Sequence, residues 1–294
     1  QAQTHEDWIC EVRDDCPDGS ARAVVEDLAD PRIRYVQNRP QKFLVRNVDD
    51  CFLKENPHNA DYFYMLEDDN QILPEFFARG RDILEQEGLA ICQINQAIEH
   101  DSRTERARIG AEGTFDALYD ERVHTPEEIH LTTMGNAVGI SNGAVFWSRH
   151  VRNELAVRVD TLPTLEEHLR TQLIAEPVYV TTEKLAVWAQ NEALTDRNRG
   201  LRSGWLRREL ALKSSTTALQ RAIWSRTAPP MREAFLSGDI LRIPLAQRRE
   251  ALRKAGICAP GIPADPGLKA RGKRLVVRHL GPVHPSVEAV MERM

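Results

Sequence analysis

The densest cluster of reactive side chains in this 294-residue sequence is Glu67-Asp68-Asp69-Asn70, which follows directly on the apolar run Tyr62–Leu66. Adjacent carboxylates repel one another, and a hard divalent cation with oxygen ligands relieves that repulsion. A cation held there can bind a diphosphate and neutralise the charge that builds on it as it leaves. The same residues also suit a turn that caps the next helix. A second strand-like run, Trp8–Val12, likewise leads into carboxylates, Asp14 and Asp15. A carboxylate at that point can accept hydrogen bonds from a base or ribose, or serve the turn Cys16-Pro17-Asp18-Gly19-Ser20 that follows. An EF-hand loop is disfavoured there, because Cys16 occupies a ligand position.

Something has to hold these clusters in place. Short apolar runs at Trp8–Val12, Ile33–Val36, Tyr62–Leu66 and Ala90–Ile94 read as strands. Between them, residues 21–29, 43–54 and 74–87 have helical spacing, with Pro74 suited to a first turn and Gly88 to the position past the end. The alternation predicts an α/β domain with a largely parallel sheet, whose ligands sit at the carboxyl ends of strands. Residues 99–135 are highly charged without clear periodicity and read as a surface excursion. Apolar runs return at Ala144–Trp147, Val178–Val180 and Leu185–Trp188, with a helix predicted at about 165–174 between them. Trp147 and Trp188 are expected in the core, the commoner fate of aromatic residues, over stacking on sugar rings.

Composition sets the outer limits. Hydrophobic residues at 41% and charged residues at 28% fit a soluble chain with a sizeable core, and exclude a disordered tail, a fibrous repeat or a disulfide-stapled miniature. The five cysteines are scattered without paired spacing, so neither a zinc knuckle nor a disulfide framework is expected. The net charge of −5 averages two unlike parts. Residues 200–294 carry 18 Lys/Arg against 7 Asp/Glu, and residues 1–199 carry 21 against 37. We therefore expect a domain at 1–199 and a basic helical region at 200–294.

The order DWICEVRDDCPDGS, RIRYVQNRP, ADYFYMLEDDNQILPEFF resembles inverting glycosyltransferases of the family-2 type with the GT-A fold. The resemblance is carried by Asp14-Asp15 before the Asp18-Gly19-Ser20 turn, by Ile33–Val36 with Asn38 and then Arg46-Asn47, and by Glu67-Asp68-Asp69 at the place of that family's Asp-x-Asp-like metal motif. It covers residues 3–90 well and extends more loosely to about 195. It implies a GT-A catalytic domain at 1–199 and a nucleotide-sugar donor, most readily a UDP-sugar, with Asp14 or Asp15 near the base. Asp68 would lie near the ribose or the metal, and Asp69 would bind Mg2+ or Mn2+. The family opens on a strand with a Pro-x-Tyr-Asn-like motif, whereas this sequence opens on Gln1, about where the helix after that strand ends, so that strand is expected to be missing.

Displacement at an anomeric carbon needs a base for the acceptor hydroxyl. In the family it is an acidic residue in a Glu-Asp-like pair opening a helix, after a Gly-containing acceptor loop. Here the loop matches Ser141-Asn142-Gly143, placing Asn142 and Gly143 at the substrate, and the base position matches Glu167. Thr164 and Glu167 also have the spacing of a capping box, which would make Glu167 structural. The family's closing strand often carries a His where Asn191 stands here. His168 is expected to be a surface or core histidine.

In the basic region, residues 201–224 interleave Trp205, Leu206, Leu210, Leu219, Ile223 and Trp224 with arginines and a lysine. Such a segment can lie on an anionic membrane surface, but packing on the catalytic domain is preferred, because the apolar stripe is interrupted. No nucleic-acid module accompanies it. The resulting expectation is a cytoplasmic, metal-dependent enzyme, peripheral to the inner membrane face if 201–224 touches it. It would move a sugar, with inversion, to a hydroxyl of a sugar, a lipid-linked acceptor or a protein. A nucleotidyltransferase-like enzyme and a non-catalytic carbohydrate- or partner-binding protein are the alternatives.

Overall fold

The computed structural model describes residues 1–190, 203–259 and 267–294. Two sheets organise the first 190 residues. In the smaller, β1 (Cys10–Asp14) and β2 (Ile33–Gln37) pair in parallel and are joined by α1 (Arg22–Leu28). Then follow α2 (Phe43–Asp49), β3 (Tyr62–Tyr64), β4 (Gln71–Ile72), α3 (Phe76–Glu87) and β5 (Ile91–His100). The chain continues through β6 (Arg108–Gly113), β7 (Arg122–His124), α4 (Pro126–Leu131), β8 (Val145–Ser148), α5 (Leu165–Gln172) and β9 (Val178–Ala189).

Strands β3 to β9 form one sheet in the order β3–β8–β5–β9–β4, with β6 on β5 and β7 on β9. The class is α/β as expected, and the sheet is mixed. Only β5 and β9 pair in parallel within it. Because β8 runs against both of its neighbours, β3, β5 and β9 nevertheless point the same way. Apolar periodicity marks a run as a strand without fixing its direction. The runs at 178–180 and 185–188 are parts of one strand, β9.

Successive residues on β5 and β8 face opposite layers, as the pleat requires. Cys92 and Phe146 pack beneath α3 with Phe76, Ile83 and Leu84. Their neighbours Ile91 and Trp147 enter the larger core on the other face. There Trp147 stacks on Phe52 with ring centroids 4.8 Å apart, so it is a core residue as expected. Gly88 ends α3 at φ 64°, a conformation that glycine adopts without steric cost.

Residues 99–135 are not a surface excursion. They supply β6, β7 and α4 and bury Phe115, Tyr119, Ile129, Leu131 and Met134. Helix α4 begins with a complete capping box, in which the Thr125 hydroxyl accepts the Glu128 N–H and the Glu128 carboxylate answers the Thr125 N–H. Charged residues on the outer faces of these short elements masked their buried positions.

The C-terminal region forms α6 (Ser203–Arg226), α7 (Pro229–Ser237), α8 (Leu245–Ala255), α9 (Gly267–Leu280) and α10 (Ser286–Arg293). It is helical, as its composition indicates, but it is no separate appendage. Leu219, Ile223, Trp224, Phe235, Leu252 and Val290 belong to the same core as Ile91, Trp147 and Val178. The boundary expected at 199/200 lies outside the described residues, as do Asn191, Leu201 and Arg202. Burial of Leu219, Ile223 and Trp224 assigns the later apolar positions of α6 to packing, leaving Leu206 exposed. Among the described residues no helix is long and apolar enough to cross a membrane.

Candidate active site

Gln96 from the middle of β5, Trp188 near the end of β9 and Glu67 just beyond β3 meet the turn before β8 around a cleft of about 540 Å³. Glu67, Gln96, Ser141, Glu167 and Trp188 line it, together with Ile243, Pro244 and Gln247 from the C-terminal region. Each polar wall is positioned by an identifiable contact. The register of β5 against β9 shifts at Asn95 and Gln96, an irregularity of the kind that re-aims side chains. Gln96 Nε2 donates to the Gly143 carbonyl at 2.8 Å, and the Tyr64 hydroxyl donates to the same oxygen at 2.8 Å. The 141–143 turn is thereby tied to two strands. A side chain at Gly143 would crowd the turn: a Cβ would lie 2.9 Å from Asn70 Nδ2 and 3.3 Å from Glu67 Oε2.

The acidic turn after β3 is anchored through its last member. Asn70 Nδ2 donates to Glu67 Oε2 at 2.7 Å, and Asn70 Oδ1 accepts the Ala189 N–H at 3.0 Å. Glu67 is turned toward the cleft, Asp68 is exposed and Asp69 is half-buried. Burial raises the Glu67 pKa, and the charges of Asp69 and Asp68 push the same way against the Asn70 hydrogen bond.

Glu167 sits in the first turn of α5 and is not a cap. Thr164 holds φ at 69° and makes no side-chain capping bond, so the capping box that the spacing allows does not form. Glu167 Oε1 instead accepts the Asn142 N–H at 3.3 Å. Burial pushes its carboxyl up to about 7; the Asn142 N–H opposes this, the Glu67 charge adds to it and the Arg170 charge opposes it. A group at that value divides between acid and base near neutrality, as general base catalysis requires.

Beneath this pair lies a buried guanidinium. Arg170 has no exposed surface, ion-pairs with Glu166 and reaches Asp49 Oδ1 at 3.1 Å. Its Nε donates to Asn142 Oδ1 at 3.3 Å, and its Cζ lies over the Phe52 ring, 3.6 Å from the centroid. Arg170 thus grips the residue whose N–H addresses Glu167. His168, next to Glu167, is buried, and that burial drops its pKa to about 4, so it is a neutral core histidine.

Asp14 and Asp15 stand apart. Neither lines the cleft, and backbone donors use the oxygens of both. Asp14 accepts from Cys16 N at 2.8 Å, Ala21 N at 3.1 Å and the Tyr35 hydroxyl at 3.0 Å. Burial would raise its pKa, and these hydrogen bonds outweigh it and hold the carboxyl below the usual range. Asp15 accepts from Lys42 N and Phe43 N, both at 2.7 Å, and from Asn38 Nδ2 at 3.1 Å, which fixes the start of α2.

Of the residues expected at the site, the structure brings Asn142, Gly143 and Glu167 together beside the acidic turn of Asp68 and Asp69. Sequence reasoning passed over Tyr64, Gln96, Arg170 and the Ile243–Gln247 wall, and it placed Trp188 in the core although the residue lines the cleft. Strand periodicity marks these positions as buried without showing which face meets a ligand. Among the described residues no group of three or more His, Cys, Asp or Glu side chains is gathered tightly enough to hold a metal ion. Mg2+ commonly binds through one or two carboxylates plus substrate phosphates. The exposed Asp68 and half-buried Asp69 fit that arrangement, and an all-protein cage is not what it needs.

No family model matches the sequence, and no curated protein matches it. Solved structures do match in shape. S. aureus TarS 1–349 superposes with a TM-score of 0.52 at 11% identity, over 98% of this chain and 76% of that chain. The same protein in complex with UDP-GlcNAc gives 0.50 at 11% identity, over 99% of this chain and 82% of that chain. The chain has the GT-A fold.

Proposed function

We propose that this protein is an inverting glycosyltransferase that moves a sugar from a nucleoside diphosphate donor, a UDP-sugar first of all, to a hydroxyl acceptor. The observation that carries the reading is Glu167. It is a carboxylate released from helix capping, set at a cleft opposite Glu67 and poised near neutrality. The UDP-GlcNAc held by the TarS structure of the same fold supports the choice of donor.

In this reading Glu167 takes the proton of the acceptor hydroxyl, with Oε1 steadied by the Asn142 N–H. The freed oxygen bonds to the anomeric carbon as the bond from that carbon to the diphosphate breaks. The nucleoside diphosphate leaves with the electron pair, and one displacement inverts the centre. Asp68 and Asp69 are the residues that would hold Mg2+ or Mn2+, whose positive charge, when bound, neutralises the departing diphosphate. Asp14 and Asp15 act at one remove, holding the 15–21 loop and the start of α2 that would seat the nucleoside.

The test is release of nucleoside diphosphate from a panel of nucleotide sugars, with and without Mn2+. Metal-dependent release that Asp69→Ala abolishes and the exposed Asp27→Ala keeps is the expected result. No release and no nucleotide binding would replace this reading with that of a binding protein. Pyrophosphate release from a nucleoside triphosphate and a sugar phosphate would replace it with nucleotidyl transfer.

A further inference from the structure

The guanidinium of Arg170 ties together segments that are far apart in sequence. Nη2 ion-pairs with Glu166, one turn back on α5, and Nη1 donates at 3.1 Å to Oδ1 of Asp49, the last residue of α2. Nη1 also donates to the Leu155 carbonyl at 2.8 Å, and Nε reaches Asn142 Oδ1 at 3.3 Å. Phe52, over which Cζ lies, stacks in turn on Trp147 of β8. Asp49 is itself pinned, because its oxygens accept the N–H groups of Val157 at 2.6 Å and Arg158 at 2.7 Å. A planar fork with donors pointing several ways can make these bonds at once, and the point charge of a lysine cannot.

Stability alone is a weak reason for this arrangement. Taking a cation and its carboxylates out of water is costly, and apolar side chains of similar volume often hold a core as well or better. Both Glu166 and Arg170 are buried. What an apolar side chain could not supply is the bond to Asn142. That residue is the middle of the 141–143 turn, whose Gly143 carbonyl is held from the other side by Gln96 and Tyr64. Its backbone N–H is the donor to Glu167 Oε1. Fixing the Asn142 side chain fixes where that N–H stands. Thr171 adds a second tie from α5, its hydroxyl donating to the Glu167 carbonyl at 2.8 Å and accepting the Ile140 N–H at 3.0 Å.

Resting on the reading of Glu167 as the base, we propose that Arg170 is its positioning residue: anchored by Asp49 and Glu166, it holds Asn142 so that the Asn142 N–H stays on the Glu167 carboxylate. The base is then kept in place by α2 as well as by its own helix. A change at Asp49 reaches the reaction through Arg170.

The experiment uses the full chain with the UDP-sugar that gives release and methyl pyranosides as acceptor probes. The main variant is the double substitution Glu166→Gln with Arg170→Met, which removes opposite charges together and leaves Asp49 its two backbone donors. It is expected to stay folded, with UDP binding unchanged and kcat lower by about 10–10²-fold, the scale of a misplaced catalytic group. The Arg170 charge and the Asn142 N–H both hold the Glu167 carboxyl down, so with Glu67 and Asp49 unchanged the rising limb of the rate–pH profile should move to higher pH. Asn142→Ala, which removes the gripped oxygen and keeps the N–H, should also lower kcat. Combined with the double substitution it should add little, because both break one link. If the double variant does not fold, Arg170→Lys takes its place in the same comparison, since it keeps the charge without the fork. Parental kcat and limb in the folded variant, or losses that simply add to that of Asn142→Ala, overturn the proposal and make Arg170 a core strut, while an impaired Glu167→Gln leaves the base reading standing. Parental turnover in Glu167→Gln removes both.

Discussion

Two sets of carboxylates in this molecule look alike in sequence and differ in who uses their oxygens. Asp14 and Asp15 end a strand, as the Glu67-Asp68-Asp69 cluster does, yet six hydrogen bonds from the following loop, from Tyr35 and Asn38 at β2 and from the start of α2 satisfy them. Glu67 and Glu167 face one cleft with one hydrogen bond each from Asn70 and Asn142, and burial raises the pKa of both. The first pair exchanges charge for backbone order. The second keeps its charge costly, and so available for proton transfer. An acidic residue is marked for chemistry less by its neighbours in sequence than by the shortage of donors around it.

This contrast can be broken by mutation, and the largest effect is expected at Glu167. Glu167→Gln should lower kcat by about 10²–10⁴-fold, the usual worth of a general base, with donor affinity retained. Its thermal midpoint at alkaline pH should not fall, because the substitution removes a charge that burial disfavours. Asp15→Ala should do the reverse: leaving the Lys42 and Phe43 N–H groups without their acceptor should cost about 1–3 kcal/mol in denaturant unfolding. Asp14→Ala should behave likewise. If either Asp variant proves as stable as the parent, the structural half of the contrast fails.

Smaller effects sharpen the same picture. Gly143→Ala should lower activity and cost about 1–3 kcal/mol of stability, because the added methyl crowds Asn70 and Glu67 in a closely packed turn. Glu67→Gln should move the rising limb of the rate–pH profile to lower pH, since it removes a charge that raises the Glu167 pKa. A further effect is on stability against pH. The folded Glu167 carboxyl sits at about 7 against an ordinary value of 4.5, so between these values the folded state holds the proton more tightly than the unfolded chain. Its contribution to stability is full below about 4.5 and is lost as the pH rises through about 7. Glu167→Gln should flatten that slope in urea titrations.

Much of this molecule was legible in the sequence, and the failures share a cause. The strands at Ile33, Tyr62, Ile91 and Val145 and the helices at Arg22 and Phe76 lie close to where apolar spacing put them. The direction of β8 was not legible, because periodicity carries no sign. The two Thr-x-x-Glu segments are the sharper lesson. Thr125 and Glu128 form the capping box, while Thr164 and Glu167, with identical spacing, do not. Thr125 has an extended backbone, with φ at −72° and ψ at 158°, and Pro126 begins the helix after it, whereas Thr164 has φ at 69° and cannot present its hydroxyl in the same way. The Ile243–Pro244 wall was illegible for another reason. Its role depends on a tertiary approach between residues more than a hundred positions apart, which no local pattern encodes.

The most direct test of the central claim is the rate of acceptor-dependent nucleoside diphosphate release, measured from about pH 5 to about pH 9 in the parent and in Glu167→Gln. The structure predicts a parent profile that rises through about pH 7 to a plateau. The variant should run at least about a hundredfold lower, without that rising limb. A Gln variant with parental turnover and the same limb would contradict the assignment of Glu167 as the base.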